Sequence, residues 1–260
     1  MKNKLDQLFE TKEKDILSIY FTAGYPKIND TISILKTLQQ NNVDLIEIGI
    51  PYSDPLADGP VIQKANQIAI ENGMSLSLVF EQLNDAKSEI YIPVILMGYL
   101  NVILQFGVEH FYEECSNTNI SAVIIPDLPI EEYLTHHKTY AEKHAIKNVF
   151  LITPTTLLER IKLIDTLSSP FIYVVSSNSI TGNSITNFNG LRDFYIQLNK
   201  LQLKNKTLIG FGINNSTKFE DACFLSNGAI IGSAFIKVLE NKQAIPEFIH
   251  SIIKTKTIAV

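Results

Sequence analysis

Apolar positions along the chain follow two alternating patterns. Short, nearly continuous apolar runs rich in β-branched residues occupy 17–22, 45–50, 93–97, 122–126, 149–153, 171–175, 207–210 and 229–232. Between them lie stretches with apolar residues at helical spacing, such as 30–40, 108–118, 131–144, 156–167, 191–201 and 216–225. Strands that alternate with helices predict right-handed βαβ units and a parallel sheet. Their near-continuous apolarity fits strands buried on both faces. Eight such units in 260 residues favour a closed (β/α)₈ barrel, a TIM barrel, over a doubly wound open sheet. Residues 3–9 predict a short helix that caps the bottom of the barrel, and Gly73 divides two helices at 61–72 and 76–87. No linker, repeat or low-complexity tract divides residues 1–260, which read as one domain.

One run breaks the pattern. In LIEIGIPYSDPLADGPVIQ, residues 45–63, a carboxylate stands inside a strand, and an acidic Pro/Gly loop follows it. Buried acids are seldom without a partner or a task. Alternation puts Leu45 and Glu47 on one face, and if that face points into the barrel, Glu47 lies at its mouth. Desolvation there would raise its pKa and suit it to proton transfer near neutrality. Asp58, on the loop, would stay ionised and could hold a cationic or N–H-bearing group. Two plainer readings stand beside these. Glu47 could pair with a lysine, although none occurs at a nearby strand end, and Asp58 could merely cap the helix after Pro60.

Three later loops, SSNSITG (176–182), GFGIN (210–214) and GAIIGSA (228–234), are rich in Gly, Ser and Thr at strand ends. Loops after the seventh and eighth barrel strands, with a helix N-terminus, commonly hold phosphate through backbone N–H groups. Gly182, Gly212, Gly232 and Ser233 fit that cradle, which has no basic residue in its loops. Between acid and cradle, Tyr20, Leu96, Ile125, Ile152, Tyr173 and Phe211 could sandwich a flat apolar group. A phosphate ester with an apolar end, acted on by proton transfer, is the implied substrate.

Composition narrows the alternatives. A formal charge of −5 argues against nucleic acid and anionic membranes as partners. The N-terminus lacks a signal-peptide core and no run is long enough to span a membrane, which together predict a soluble cytoplasmic protein. Cys115 and Cys223 form no metal or redox motif, and the five histidines show no ligand spacing, so no metal is expected. No strand-end lysine suggests a Schiff base, and no GxSxG or Cys/His pattern suggests acyl transfer.

The motifs IEIGIPYSDPLADGPVIQ (46–63), ILMGYLN (95–101), IIPDLPIEE (124–132), TPTT (153–156), ITG (180–182), GFGI (210–213) and GSA (232–234) occur in the order and spacing of one family. The chain resembles the tryptophan synthase alpha chain over essentially its full length. That resemblance implies a barrel that cleaves indole-3-glycerol phosphate to indole and glyceraldehyde 3-phosphate. By position, Glu47 matches the family's acid/base residue, and Asp58 the carboxylate that holds the indole N–H. Gly182, Gly212, Gly232 and Ser233 match phosphate positions. Tyr20, Tyr173 and Phe211 match the indole pocket, and Thr181 the loop that closes toward Asp58. It further implies no cofactor in this chain, and a pyridoxal-phosphate-dependent beta chain as partner in an αββα complex. Segments 51–60 and 101–107 would face that partner. Ser179 replaces a glycine that many members carry before the Thr-Gly pair, which bears on loop closure and not on the reaction. A stand-alone lyase would share every catalytic residue, while a non-catalytic activator of a beta chain would not need both acids.

Overall fold

The computed structural model describes residues 3–175, 188–210 and 212–253. Its strands are β1 (Ile16–Thr22), β2 (Leu45–Gly49), β3 (Val94–Met97), β4 (Ala122–Ile124), β5 (Lys147–Val149), β6 (Leu151–Ile152), β7 (Phe171–Val175), β8 (Lys206–Gly210) and β9 (Gly228–Ile231). All neighbouring strands pair in parallel, in the order β5-β4-β3-β2-β1-β9-β8-β7-β6. The two ends of that order are halves of a single run. The sheet therefore closes on itself as a barrel of eight runs, the fifth in two pieces.

The break at Phe150 has a local cause. Its N–H donates to Ser168 Oγ at 3.1 Å, and its carbonyl accepts from the Tyr173 N–H at 3.0 Å. Its ring packs edge-on against Tyr133 in the outer layer, centroids 5.0 Å apart. β5 thus serves β4 and β6 serves β7.

The bottom of the barrel is closed by the N-terminal helix Lys4–Thr11. Asn3 caps it by accepting from the Leu5 N–H, and its Nδ2 donates to the Ser121 carbonyl just before β4. Leu5 and Phe9 are buried, and Phe9 stacks on Phe171 at the start of β7. The long stretch after β2 folds as the two helices Pro60–Glu71 and Leu76–Ala86, parted at Gly73 as the sequence predicts.

Four outer segments differ from the sequence reading. Residues 131–144, read as one helix, run through a π-helical turn at Tyr133–His137 between Ile130–Glu132 and Lys138–Lys143. Helices also form at Leu100–Phe106, Ser233–Glu240 and Ile245–Ile252, which the sequence pattern did not single out. No helix among the described residues is long and apolar enough to cross a membrane.

Candidate active site

Glu47 lies in the middle of β2, beside Tyr20 of β1 and Ile95 of β3 in the sheet register. It is 0% exposed. No lysine meets it. Its one partner among the described residues is Ser18 on β1, whose Oγ donates to Glu47 Oε1 at 2.8 Å, and Oε2 has none. Burial lifts the carboxyl pKa from 4.5 to about 7, with the Ser18 hydrogen bond pulling the other way. The plainer reading of a lysine pair is thereby replaced by an acid poised at neutrality.

That elevation has a stability consequence. Below the unfolded value the acid is protonated in both states and costs nothing. As pH rises through 4.5 the unfolded carboxyl ionises while the folded one holds its proton, so stability falls until about pH 7 and is level above it. The full loss is about 3 kcal/mol. Glu47→Gln is therefore expected to raise the melting temperature by several degrees at pH 8 and to leave it nearly unchanged at pH 4. Equal melting temperatures at pH 8 would show that burial does not penalise the ionised acid.

Asp58 sits on the loop after β2. Gly59 is the N-cap of the helix that follows, Pro60 is its first residue, and no side chain caps it. The capping reading of Asp58 therefore gives way to another partner. Tyr99, at the end of β3, donates its hydroxyl to Asp58 Oδ2 at 3.1 Å and accepts from the Ala57 N–H at 3.0 Å. Burial raises the Asp58 pKa to about 6, and the Tyr99 bond offsets part of the rise. Burial first, and the Asp58 charge second, hold the Tyr99 phenol far above its ordinary value, so it stays a donor.

A cavity of about 190 Å³ opens at this end of the barrel. Asp58 forms part of its wall, with Tyr20, Tyr173, Ile62, Met97 and Ile230 as the apolar sides. Glu47 is not among the described lining residues, but it acts electrostatically on both Tyr20 and Tyr173, as Asp58 does. Both acids therefore act on the same pair of rings. Each ring depends on a glycine in the neighbouring strand: a Cβ at Gly49 would overlap the Tyr20 hydroxyl, and one at Gly210 the Tyr173 hydroxyl. Leu96, Ile125 and Ile152 are buried core instead of described lining, because it is Met97, one residue along β3, that reaches the cavity.

The cavity also takes in residues of the loops read as a cradle. Gly212, Asn214, Gly232 and Ser233 line it, and Gly212 has a positive φ of 78° that a side chain would strain. Gly232 is the N-cap of Ser233–Glu240, whose unpaired N–H groups and dipole suit an anion. The cradle loops carry no basic residue, but the helix that follows supplies one. Lys237, one turn along that helix, lines the cavity too, because helical spacing returns it to the face of Ser233. Among the described residues no group of three or more His, Cys, Asp or Glu could hold a metal ion. Phe211, Thr181 and Gly182 lie outside the described residues, as does Ser179.

Residues 6–257 match the model of the family described as tryptophan synthase alpha chain. The chain belongs to the tryptophan synthase alpha chain family. The alpha chain of Flavobacterium psychrophilum is 49% identical over 252 residues, which are 96% of this chain and 99% of that one. That of Parabacteroides distasonis is 48% identical over 253 residues, 97% of this chain and 98% of that one. The crystal structure of the alpha subunit from Legionella pneumophila str. Paris superposes with a TM-score of 0.86 at 31% identity, covering 97% of each chain.

Membership makes the chain a lyase of tryptophan biosynthesis that cleaves indole-3-glycerol phosphate and works with a beta chain in an αββα complex. In the family, pyridoxal phosphate belongs to the beta chain. Sequence reasoning singled out the two acids but not Ser18 and Tyr99, which bond to them, or Lys237, which lines the cavity. Alternation along β1 puts Ser18 and Tyr20 on one face, a usable signal for Ser18. Nothing in the sequence joins Tyr99 to Asp58 or marks Lys237 apart from other helix lysines.

Proposed function

We propose that Glu47 and Asp58 carry the alpha reaction within one barrel domain, with Gly212, Gly232 and Ser233 holding the phosphate. The observation that supports this most is the pair of raised carboxyls, about 7 for Glu47 and about 6 for Asp58, both acting on Tyr20 and Tyr173. Perturbed pairs of this kind assign acid and base roles. The carboxylic acid of Glu47 gives its proton to C3 of the indole ring. Asp58, as the carboxylate, accepts a hydrogen bond from the indole N–H and stabilises the positive charge that forms there. The bond from C3 to the glycerol carbon then breaks, and its electron pair returns to the indole. The glycerol hydroxyl becomes an aldehyde, and its proton passes to the Glu47 carboxylate, which restores the acid. The proton count closes on one residue, and the chain's own groups suffice without a cofactor.

Thr181, Gly182 and Phe211 keep their proposed roles in loop closure, phosphate binding and the indole pocket on resemblance alone. The partner face takes in 51–60 and 101–107. Leu56, 80% exposed, lies between the two acids, and Leu104 is exposed on the helix Leu100–Phe106. Apolar side chains so placed suit burial against another chain. A cytoplasmic setting goes with free, buried Cys115 and Cys223.

The reactive form needs protonated Glu47 with ionised Asp58, and these coexist between about pH 6 and 7. kcat/KM for indole release is therefore expected to be bell-shaped, falling below about 6 as Asp58 protonates and above about 7 as Glu47 ionises. Measured with and without a beta chain, activity should be weak alone and strongly raised by the partner. Full activity alone would favour a stand-alone lyase. A profile flat from pH 5 to 9 would dismiss this pair.

A further inference from the structure

The two oxygens of Glu47 have unlike surroundings. Oε1 accepts from Ser18 Oγ at 2.8 Å, whereas Oε2 is buried with no partner among the described residues. Ser18 is itself 0% exposed, on the strand next to Glu47 and two residues from Tyr20, whose ring forms the cavity wall. A buried hydroxyl that reaches a buried carboxylate is a committed contact, since neither group has water to exchange it for. We propose that Ser18 is a positioning residue of the lyase reaction, which anchors Glu47 through Oε1 so that Oε2 is the oxygen that gives and takes the proton. This rests on the acid–base role assigned to Glu47 above.

The anchor follows from the chemistry of one group that acts twice. A carboxyl that protonates a ring carbon and then accepts a hydroxyl proton must present one oxygen to two neighbouring atoms in turn. A free carboxyl rotates about its last bond and offers either oxygen. With Oε1 tied to Ser18, the proton resides on Oε2, because an oxygen that accepts from a fixed donor is the poorer site for it. The hydroxyl can hold this contact in both states, since Ser18 Oγ donates to Oε1 whether Oε2 carries a proton or has lost it. Positioning of this kind is among the larger sources of rate enhancement.

Of the titratable groups that face Glu47, Tyr20 on β1 and Tyr173 on β7 are both held well above their ordinary values by burial first, so they stay neutral at working pH. The charge of Asp58 acts on the same two rings. Ser18 is thus the only described group that favours the ionised form of Glu47.

Ser18→Ala, assayed with the beta chain, is expected to lower kcat about 10- to 100-fold with KM within about twofold. Its alkaline limb should move up from about 7 by about one pH unit. Ser18→Thr, which keeps the hydroxyl, should restore both the limb and most of kcat. A mere packing role would lower activity without moving the limb and would not separate Ala from Thr. An alkaline limb of Ser18→Ala at the wild-type pH overturns the anchor, as does a kcat equal to wild type. Glu47→Gln, run in parallel, tells the two claims apart: an active Glu47→Gln variant removes the acid itself, while an inactive one beside an unshifted Ser18→Ala profile removes only the anchor.

Discussion

A Glu47→Gln enzyme is expected to lose about three to four orders of magnitude in kcat for indole release, with KM for indole-3-glycerol phosphate little changed. The magnitude comes from general acid–base catalysis, worth about 10²–10⁴ for a positioned group, taken at its upper end because one residue serves both proton transfers. Gln fills the same space and can keep the Ser18 contact through its side-chain oxygen, so the binding surface survives while the proton is lost. The carboxyl is already neutral in the reactive form, which is why Gln imitates its shape and charge in the ground state and fails only at the transfer. Steady-state assays with a saturating beta chain check this, and a variant within tenfold of wild type would remove Glu47 from the chemistry. The same substitution should stabilise the fold at pH 8. An acid at about 7 in a dry site is a cost that an enzyme carries for function. Loss of activity together with a gain in melting temperature would exclude misfolding as the cause.

Much of this was legible before the fold was known, and the rest hid for identifiable reasons. Parallel strands buried on both faces leave an apolar signature, so β1, β2, β7 and β9 lie within a residue of their predicted bounds. A single acid in such a strand stands out against it, and that contrast revealed Glu47. The split of the fifth run at Phe150 could not be read, because it depends on a hydrogen bond that its N–H donates to a serine 18 residues away. Gly49 and Gly210 look like turn residues, yet each is fixed by the hydroxyl of a tyrosine on the adjacent strand, a contact that only sheet register creates. Tyr99 is 41 residues from Asp58 in sequence, and the two meet because β2 and β3 end at the same rim of the barrel. Local pattern finds residues that violate their element, and it passes over those that become functional only through neighbours on other strands.

Asp58→Asn carries the second large effect, and it separates charge from shape. The amide fits the loop and can still accept from Tyr99, so the cavity wall is retained, but no negative charge faces the indole N–H when the ring becomes cationic. Removing a placed group that meets developing charge costs about 10²–10³ in kcat. The pH profile provides the sharper check. In wild type the acid limb is expected near 6, from Asp58, and the alkaline limb near 7, from Glu47. In Asp58→Asn the residual activity should lose its acid limb and keep the alkaline one, and Ser18→Ala should do the reverse, keeping the acid limb and displacing the other. An acid limb that persists near 6 in Asp58→Asn would assign it to another group, such as the substrate phosphate. Because the two carboxyls act on one transition state, the double variant Glu47→Gln/Asp58→Asn is expected to be scarcely slower than Glu47→Gln alone. Once C3 receives no proton, no cation forms on the indole, and the charge of Asp58 has nothing left to stabilise.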